Sequence, residues 1–163
     1  MKKIFSRRKP PWAWLWLSLL VIIADQWSKY LAVEHLVYAQ PAEILPFLDF
    51  RLVYNTGAAY GLLSSFSSWH VIVLSLVSIV VTLCLLVWLS RLEHFQYLKA
   101  CALALLIGGA IGNAIDRIYL NYVVDFISVH WNSHYFAIFN VADSAVTVGA
   151  ILLGVSLLFC NRT

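Results

Sequence analysis

The sequence predicts an all-α membrane fold: four transmembrane helices, a small extracytoplasmic β-sheet cradle and a short interfacial helix. Three observations carry that expectation. First, 62% of the 163 residues are hydrophobic and only 12% are charged. Soluble domains carry roughly 25% charge, so this chain has too little polar material to cover a soluble surface. Its composition is also the opposite of what disorder requires. Second, four runs reach the roughly 20 apolar residues that a membrane helix needs. Third, the few charges are segregated along the chain. The net charge of +3 is small and clustered, which speaks to orientation and not to nucleic acid.

The elements follow in order. The first span is expected over about 12–33, with Asp25 and Lys29 in its last third. In the outer loop 34–68, the stretch 47–54 alternates: Leu48, Phe50, Leu52 and Tyr54 fall on one face, Asp49 and Arg51 on the other. That period of two predicts a strand. Asn55-Thr56-Gly57 reads as its turn, and 58–66 as the short interfacial helix. The second span, about 69–89, contains no charge. The third, about 98–118, ends in Asp116 and Arg117, and the fourth, about 140–160, holds Asp143 near its start. Between them the outer loop 119–139 carries strand patterns over 123–129 and 135–139. Helices satisfy every backbone polar group inside lipid, and the ten-residue alternating segments of a barrel are missing. No repeat or linker divides the chain, so 1–163 reads as one integral membrane domain.

Lys2, Lys3, Arg7, Arg8 and Lys9 precede the first apolar run as they would in a signal peptide. No small-x-small cleavage pattern follows Ile23, however, and the run continues to Val33, which predicts a retained helix. The basic residues then set the orientation. The N-terminal tail, Arg91 and Lys99 in the loop between the second and third spans, and Arg162 at the C-terminus hold eight of the eleven. Both termini are therefore expected in the cytoplasm, with the two longer loops outside. The seven Trp mostly sit at expected interfaces, as an aromatic belt would.

Seven of the eight acids, all but Glu93, fall on the outward side of this map. Asp25, Asp116, Asp125 and Asp143 cluster at or near the outer interface. Charge inside a membrane helix costs about 2.5–3.5 kcal/mol at its centre, so these acids need partners or a task. Asp25 and Lys29, four apart, share a face and can pair. The pair could let Lys29 snorkel outward, or Lys29 could offer its cation to a substrate carbonyl or lipid headgroup. Gly108 and Gly112 form a small-xxx-small pattern for close helix approach. Asn113 and Asp116 share a face, and Asp116 could pair with Arg117. Asp125 is flanked by apolar residues in a strand. Asn140 is placed to cap the fourth helix, with Asp143 at its third position.

Two carboxyls at one site can hydrolyse a bond without a metal. Like charges close together cannot both ionise, so one keeps its proton and the other acts as base. Chemistry alone leaves open which two of the four acids form such a pair. Other site types have less support. His130 and His134 lack the Glu of a zinc-binding His-Glu-x-x-His helix. Ser64, Ser65, Ser67 and Ser68 show no nucleophile elbow. Cys84, Cys101 and Cys160 are an odd set in or beside apolar runs, which excludes a disulfide scaffold. No metal or other cofactor is expected.

Five motifs in order add a resemblance. They are Asp25-Gln26-x-Ser28-Lys29, Asn55-Thr56-Gly57-Ala58-Ala59-Tyr60-Gly61, Gly108-Gly109-Ala110-x-Gly112-Asn113-x-x-Asp116-Arg117, Val123-Val124-Asp125-Phe126 and Phe139-Asn140-x-Ala142-Asp143-Ser144. The set closely resembles bacterial lipoprotein signal peptidase, also called signal peptidase II, and covers nearly the whole chain. The resemblance implies a membrane aspartic endopeptidase of the bacterial inner membrane that is blocked by globomycin. Its substrates would be diacylglyceryl-modified prolipoproteins, cleaved just before the lipidated cysteine. It implies Asp125 and Asp143 as the catalytic dyad. It also implies that Asp25, Lys29, Asn55, Gly57, Asn113, Asp116, Arg117, Asn140 and Ala142 shape the site or the substrate groove. Tyr60 stands where the family often has Phe, which still leaves an aromatic wall. Membrane lipid and the prolipoprotein are the expected partners, with no nucleic acid, and the chain is expected to be monomeric. A proton-coupled transporter is the competing reading, since intramembrane acids mark ion pathways. It would need polar residues through the full membrane depth, and the second span offers only Ser75, Ser78 and Thr82. A structural four-helix subunit would leave four acids at one depth unexplained.

Overall fold

Each of the four apolar runs becomes a helix. The computed structural model describes residues 11–56, 69–93, 96–132 and 134–159. A 3-10 turn over Pro11–Trp14 leads into α1 (Leu15–His35), and α2 (Trp69–Ser90), α3 (Tyr97–Leu120) and α4 (Val141–Phe159) follow. Three of these helices, over Val71–Ser90, Tyr97–Leu120 and Val141–Phe159, are long and apolar enough to cross a membrane. The 21 residues of α1 rise about 30 Å, but they include Asp25, Lys29 and Glu34. Gly57 and the interfacial helix expected over 58–66 lie outside the described residues.

The helices are arranged with their polar stripes inward. On α1 the buried positions are Ser18, Val21, Asp25, Lys29 and Ala32, spaced as one helical face. The opposite face exposes Trp16, Leu19, Leu20, Ile23, Trp27 and Tyr30. A chain folded in water would present the reverse, so the exposed apolar face is the one that suits lipid. The hydroxyls of α2 turn back onto their own helix: Ser75 donates to the Val71 carbonyl at 2.8 Å, Ser78 to Leu74 at 2.9 Å and Thr82 to Ser78 at 2.7 Å.

Helix α3 is the central element and packs against the other three. The glycine pattern read from the sequence lies on its contact with α1. A Cβ on Gly108 would come within 2.8 Å of Val21 Cβ, and one on Gly112 within 2.7 Å of Asp25 Oδ2. The two backbones can approach this closely only because both positions lack a side chain. Asn121 ends α3 in the left-handed region at φ 65°, with its N–H on the Arg117 carbonyl, a conformation Asn tolerates better than most residues.

Four strands form one antiparallel sheet in the order β1 (Pro41–Leu45), β2 (Leu48–Asn55), β3 (Val123–Trp131) and β4 (His134–Phe139). Leu52, Val124 and Phe126 of the sheet pack with Ala32 near the end of α1, which fixes the sheet to the bundle. The pairing sets Asn55 opposite Val123, and Val53 opposite Asp125.

Two expectations change here. Strand β1 was not anticipated: Pro-Ala-Glu-Ile-Leu has no alternation, and all five residues are exposed. The two-faced alternation expected for 47–54 is not kept along the whole strand either. The β2–β3 register shifts between Phe50 and Val53, which breaks the period of two. Asp49 is consequently buried, 3.2 Å from His130 Nε2, and accepts a long hydrogen bond of 3.4 Å from the Tyr135 hydroxyl. Arg51 donates from Nε to the Ala39 carbonyl and lies over the Tyr135 ring.

Candidate active site

The four clustered acids separate into two pairs with different surroundings. Asp25 and Asp116 share one cation. Lys29 Nζ lies 2.8 Å from Asp25 Oδ2 and 2.9 Å from Asp116 Oδ2, and it donates a third bond of 3.0 Å to Asn113 Oδ1. An ammonium has three donors, and all three are used. Lys29 is only 3% exposed. The Asp25–Lys29 pair read from the sequence is present, but Lys29 neither snorkels outward nor has a donor left for a substrate carbonyl or headgroup. Asp116 pairs with Lys29 across the α1–α3 contact; the expected partner, Arg117, instead donates a long bond of 3.4 Å to the Asn113 carbonyl.

The remaining lone pairs of this cluster hold neighbouring elements. Asp25 Oδ1 accepts the Ala142 backbone N–H at 2.8 Å, near the start of α4. Asp116 Oδ2 accepts the Val124 N–H at 3.0 Å, in β3. Gln26 donates to Asp116 Oδ1 at 2.9 Å, and at 3.2 Å to both Asp25 Oδ2 and the Gly112 carbonyl. The buried cluster thus fixes the two backbone segments that carry the other acids. Ala142 contributes through its main chain. Gln26 stands in a motif, but nothing in its local sequence separates it from its neighbours. Its partners Gly112 and Asp116 are distant in the chain.

The hydrogen bonds to the Asp125 and Asp143 side chains come from amides, with the Arg117 guanidinium close enough to feel both charges. Asp125 accepts from Asn55 Nδ2 at 2.9 Å and from Asn140 Nδ2 at 2.7 Å. Asp143 Oδ1 accepts from Asn113 Nδ2 at 2.7 Å. Asn140 is the joint between them. Its Oδ1 accepts the Asp143 N–H at 2.9 Å, and its own N–H faces Asp143 Oδ2 at 3.4 Å. This is the reciprocal cap expected where Asn stands three residues before an acid. The cap sits at the positive end of α4, which favours negative charge nearby.

The two carboxyls have unequal environments. Asp125 is 2% exposed, whereas Asp143 is half-buried. Burial raises the Asp125 carboxyl from the usual 3.8 to about 6. The Asn55 bond opposes the rise, the Asp143 charge adds to it, and the Asn140 bond and Lys29 oppose it. Unequal acids side by side suit a division into proton donor and base. Among the described residues, no three His, Cys, Asp or Glu converge as metal ligands.

The chain also has clear relatives among known proteins. A family model described as signal peptidase (SPase) II matches residues 17–159. The chain belongs to the signal peptidase II family. Signal peptidase II relatives named lipoprotein signal peptidase include one from Coxiella burnetii, 48% identical over 155 residues, covering 95% of each chain. Another, from Acinetobacter baylyi, is 44% identical over 149 residues, covering 91% of this chain and 83% of its own. The fold is similar to a solved bacterial membrane enzyme determined by the in meso method at 2.3 Å resolution. That match has a TM-score of 0.81 and 31% identity, over 92% of this chain and 90% of the other. As a signal peptidase II, the chain is a membrane-embedded protease, mostly helical with a small four-stranded sheet.

Proposed function

We propose that this protein removes signal peptides from diacylglyceryl-modified prolipoproteins, cutting just before the lipidated cysteine with water activated by Asp125 and Asp143. The observation that carries the reading is the division of the acids. Lys29 engages Asp25 and Asp116. Asp125 and Asp143 are joined through Asn140 and meet amides that leave their protons free to move. Family membership supports the same substrate class.

The chemistry balances with one proton on the pair. The ionised carboxylate takes a proton from water as the oxygen adds to the scissile carbonyl carbon. The protonated carboxyl gives its proton to the carbonyl oxygen. In the collapse of the tetrahedral intermediate, the carboxyl that took the water proton gives it to the leaving nitrogen as the carbon–nitrogen bond breaks, and one hydroxyl proton of the intermediate returns to the other carboxylate. The signal peptide leaves with a new carboxyl, the lipidated cysteine keeps a free amine, and the pair again holds one proton.

The membrane arrangement in this reading has four spans with α1 as the first, both termini in the cytoplasm, and the sheet and acids at the outer face of the inner membrane. One domain over 1–163 acts as a monomer in contact with lipid, without a cofactor. Asn55, Gly57, Asn113, Asp116, Arg117, Asn140 and Ala142 shape the site around the pair. The exposed apolar face of α1 supports its membrane placement despite Asp25 and Lys29, because both of those charges are buried against α3.

The test is cleavage of a fluorescent peptide carrying a diacylglyceryl cysteine by the purified protein. Asp125→Asn and Asp143→Asn should each abolish cleavage while the protein stays folded, and full activity in either would remove the dyad. Chelators should leave the rate unchanged and globomycin should block it.

A further inference from the structure

The proposed dyad leaves Lys29 without a part in the chemistry, yet this cation is buried next to it. Its contact with Asn113 has a direction. The ammonium can only donate, and it donates to Asn113 Oδ1 at 3.0 Å; Asn140 Nδ2 donates to the same oxygen at 3.1 Å. With two donors on that side, the carbonyl end of the Asn113 amide must face them. Its Nδ2 end therefore faces Asp143 Oδ1, at 2.7 Å. In the flipped amide, N–H groups would oppose the ammonium and the Asn140 amide, and a carbonyl would oppose the Asp143 carboxylate. Both mismatches would be buried and costly.

We infer that Lys29 is a positioning residue: through Asn113 it presents an N–H donor to Asp143, and so assigns Asp143 as the base of the pair and Asp125 as the proton carrier. The inference rests on the dyad reading above and adds a division of labour to it. A donor from Asn113 fixes the orientation of the Asp143 carboxyl and of its free lone pairs. Asp143 is also the more accessible of the two carboxyls, as a group that meets water must be. The charged groups around Asn113 are Asp25 and Lys29 from α1, Asp116 and Arg117 from α3, Asp125 from β3 and Asp143 from α4. Among the described residues, only Lys29 both touches the Asn113 side chain and carries a positive charge.

Two variants test this in the full-length protein with the lipidated peptide. Lys29→Met combined with Asp116→Asn removes one charge of each sign, so the net charge of the cluster is kept. It should lower kcat by about 10- to 100-fold, the range seen when an orienting partner is removed, with KM changed little. Asn113→Asp keeps the shape of the side chain and the Lys29 contact, but puts an oxygen against Asp143. Relative to wild type at the same pH, it should be weak at neutral pH and recover on acidification, when the new carboxyl gains a proton that it can donate to Asp143. A role in packing alone would give no such recovery. Thermal melting identifies the variants that fold, and if the double variant does not, Asn113→Asp decides. Wild-type kcat in the folded double variant, or an Asn113→Asp to wild-type rate ratio that does not rise at low pH, would overturn the inference. If Asp125→Asn or Asp143→Asn were active, the dyad itself would fail, which is a separate result.

Discussion

Asn140 donates a 2.7 Å hydrogen bond from the cap of α4 to Asp125 in β3. A helix start and a strand that meet only in the folded chain are thereby held in one orientation. The same side chain caps the helix through its oxygen, so its two ends do separable work.

Substitutions at Asn140 should separate them. Asn140→Ser keeps an N-cap oxygen and loses the amide donor, whereas Asn140→Ala loses both. We expect Ser to melt near wild type and Ala to lose about 1 kcal/mol, with peptide cleavage strongly reduced in both. Thermal melting and the cleavage assay together check the split.

The raised Asp125 carboxyl predicts the sign of a pH effect. In the proposed mechanism the pair works with one proton, and burial raises the Asp125 carboxyl to about 6. The value of kcat/KM, which reports the free enzyme, should therefore fall as pH rises through about 6. The limb belongs to the pair as a whole. A rate profile that rises through the same range would contradict the assignment of the proton.

Gly112→Ala should destabilise the bundle. The added Cβ would lie 2.7 Å from Asp25 Oδ2 and 3.2 Å from the Ala142 side chain. Overpacking of this kind costs about 1–3 kcal/mol, and here it also pushes on the carboxylate that holds the start of α4. A lower melting temperature together with slower cleavage is the expected outcome.

Lys29→Met alone should be more damaging than its charge-balanced counterpart. It leaves Asp25 and Asp116 buried together without a cation, and breaking a buried ion pair costs about 3–5 kcal/mol. Comparing the yield and melting of the single and double variants in detergent measures the difference.

The helices and three of the four strands were legible because long apolar runs and alternating patterns are local signals. Strand β1 was not, since Pro41–Leu45 gains its structure by pairing with β2 and has no pattern of its own. The Asp25–Lys29 pair was legible from its spacing of four. Its extension to Asp116 was not, because that contact depends on how closely α1 approaches α3 at Gly112. The burial of Asp49 escaped for a similar reason: a shift in strand register cannot be seen in the residues before and after it. The two motif aspartates were picked out through family resemblance. Their surroundings, two buried or half-buried acids tied by amides, became visible only once α3, β3 and α4 were assembled.

Beneath the acids, α3 buries Ala102, Leu103, Ala104 and Ile107 completely or almost so, and the hydroxyls of α2 bond only within their own helix. This layer acts as an electrical insulator. A protein with several acids in a membrane could short-circuit the proton gradient, but among the described residues no hydrogen-bonded chain leads from these acids through that layer. In the proposed arrangement, the dyad then exchanges protons with one compartment only. In sealed vesicles, the cleavage rate should follow the pH on that side and ignore the pH on the other.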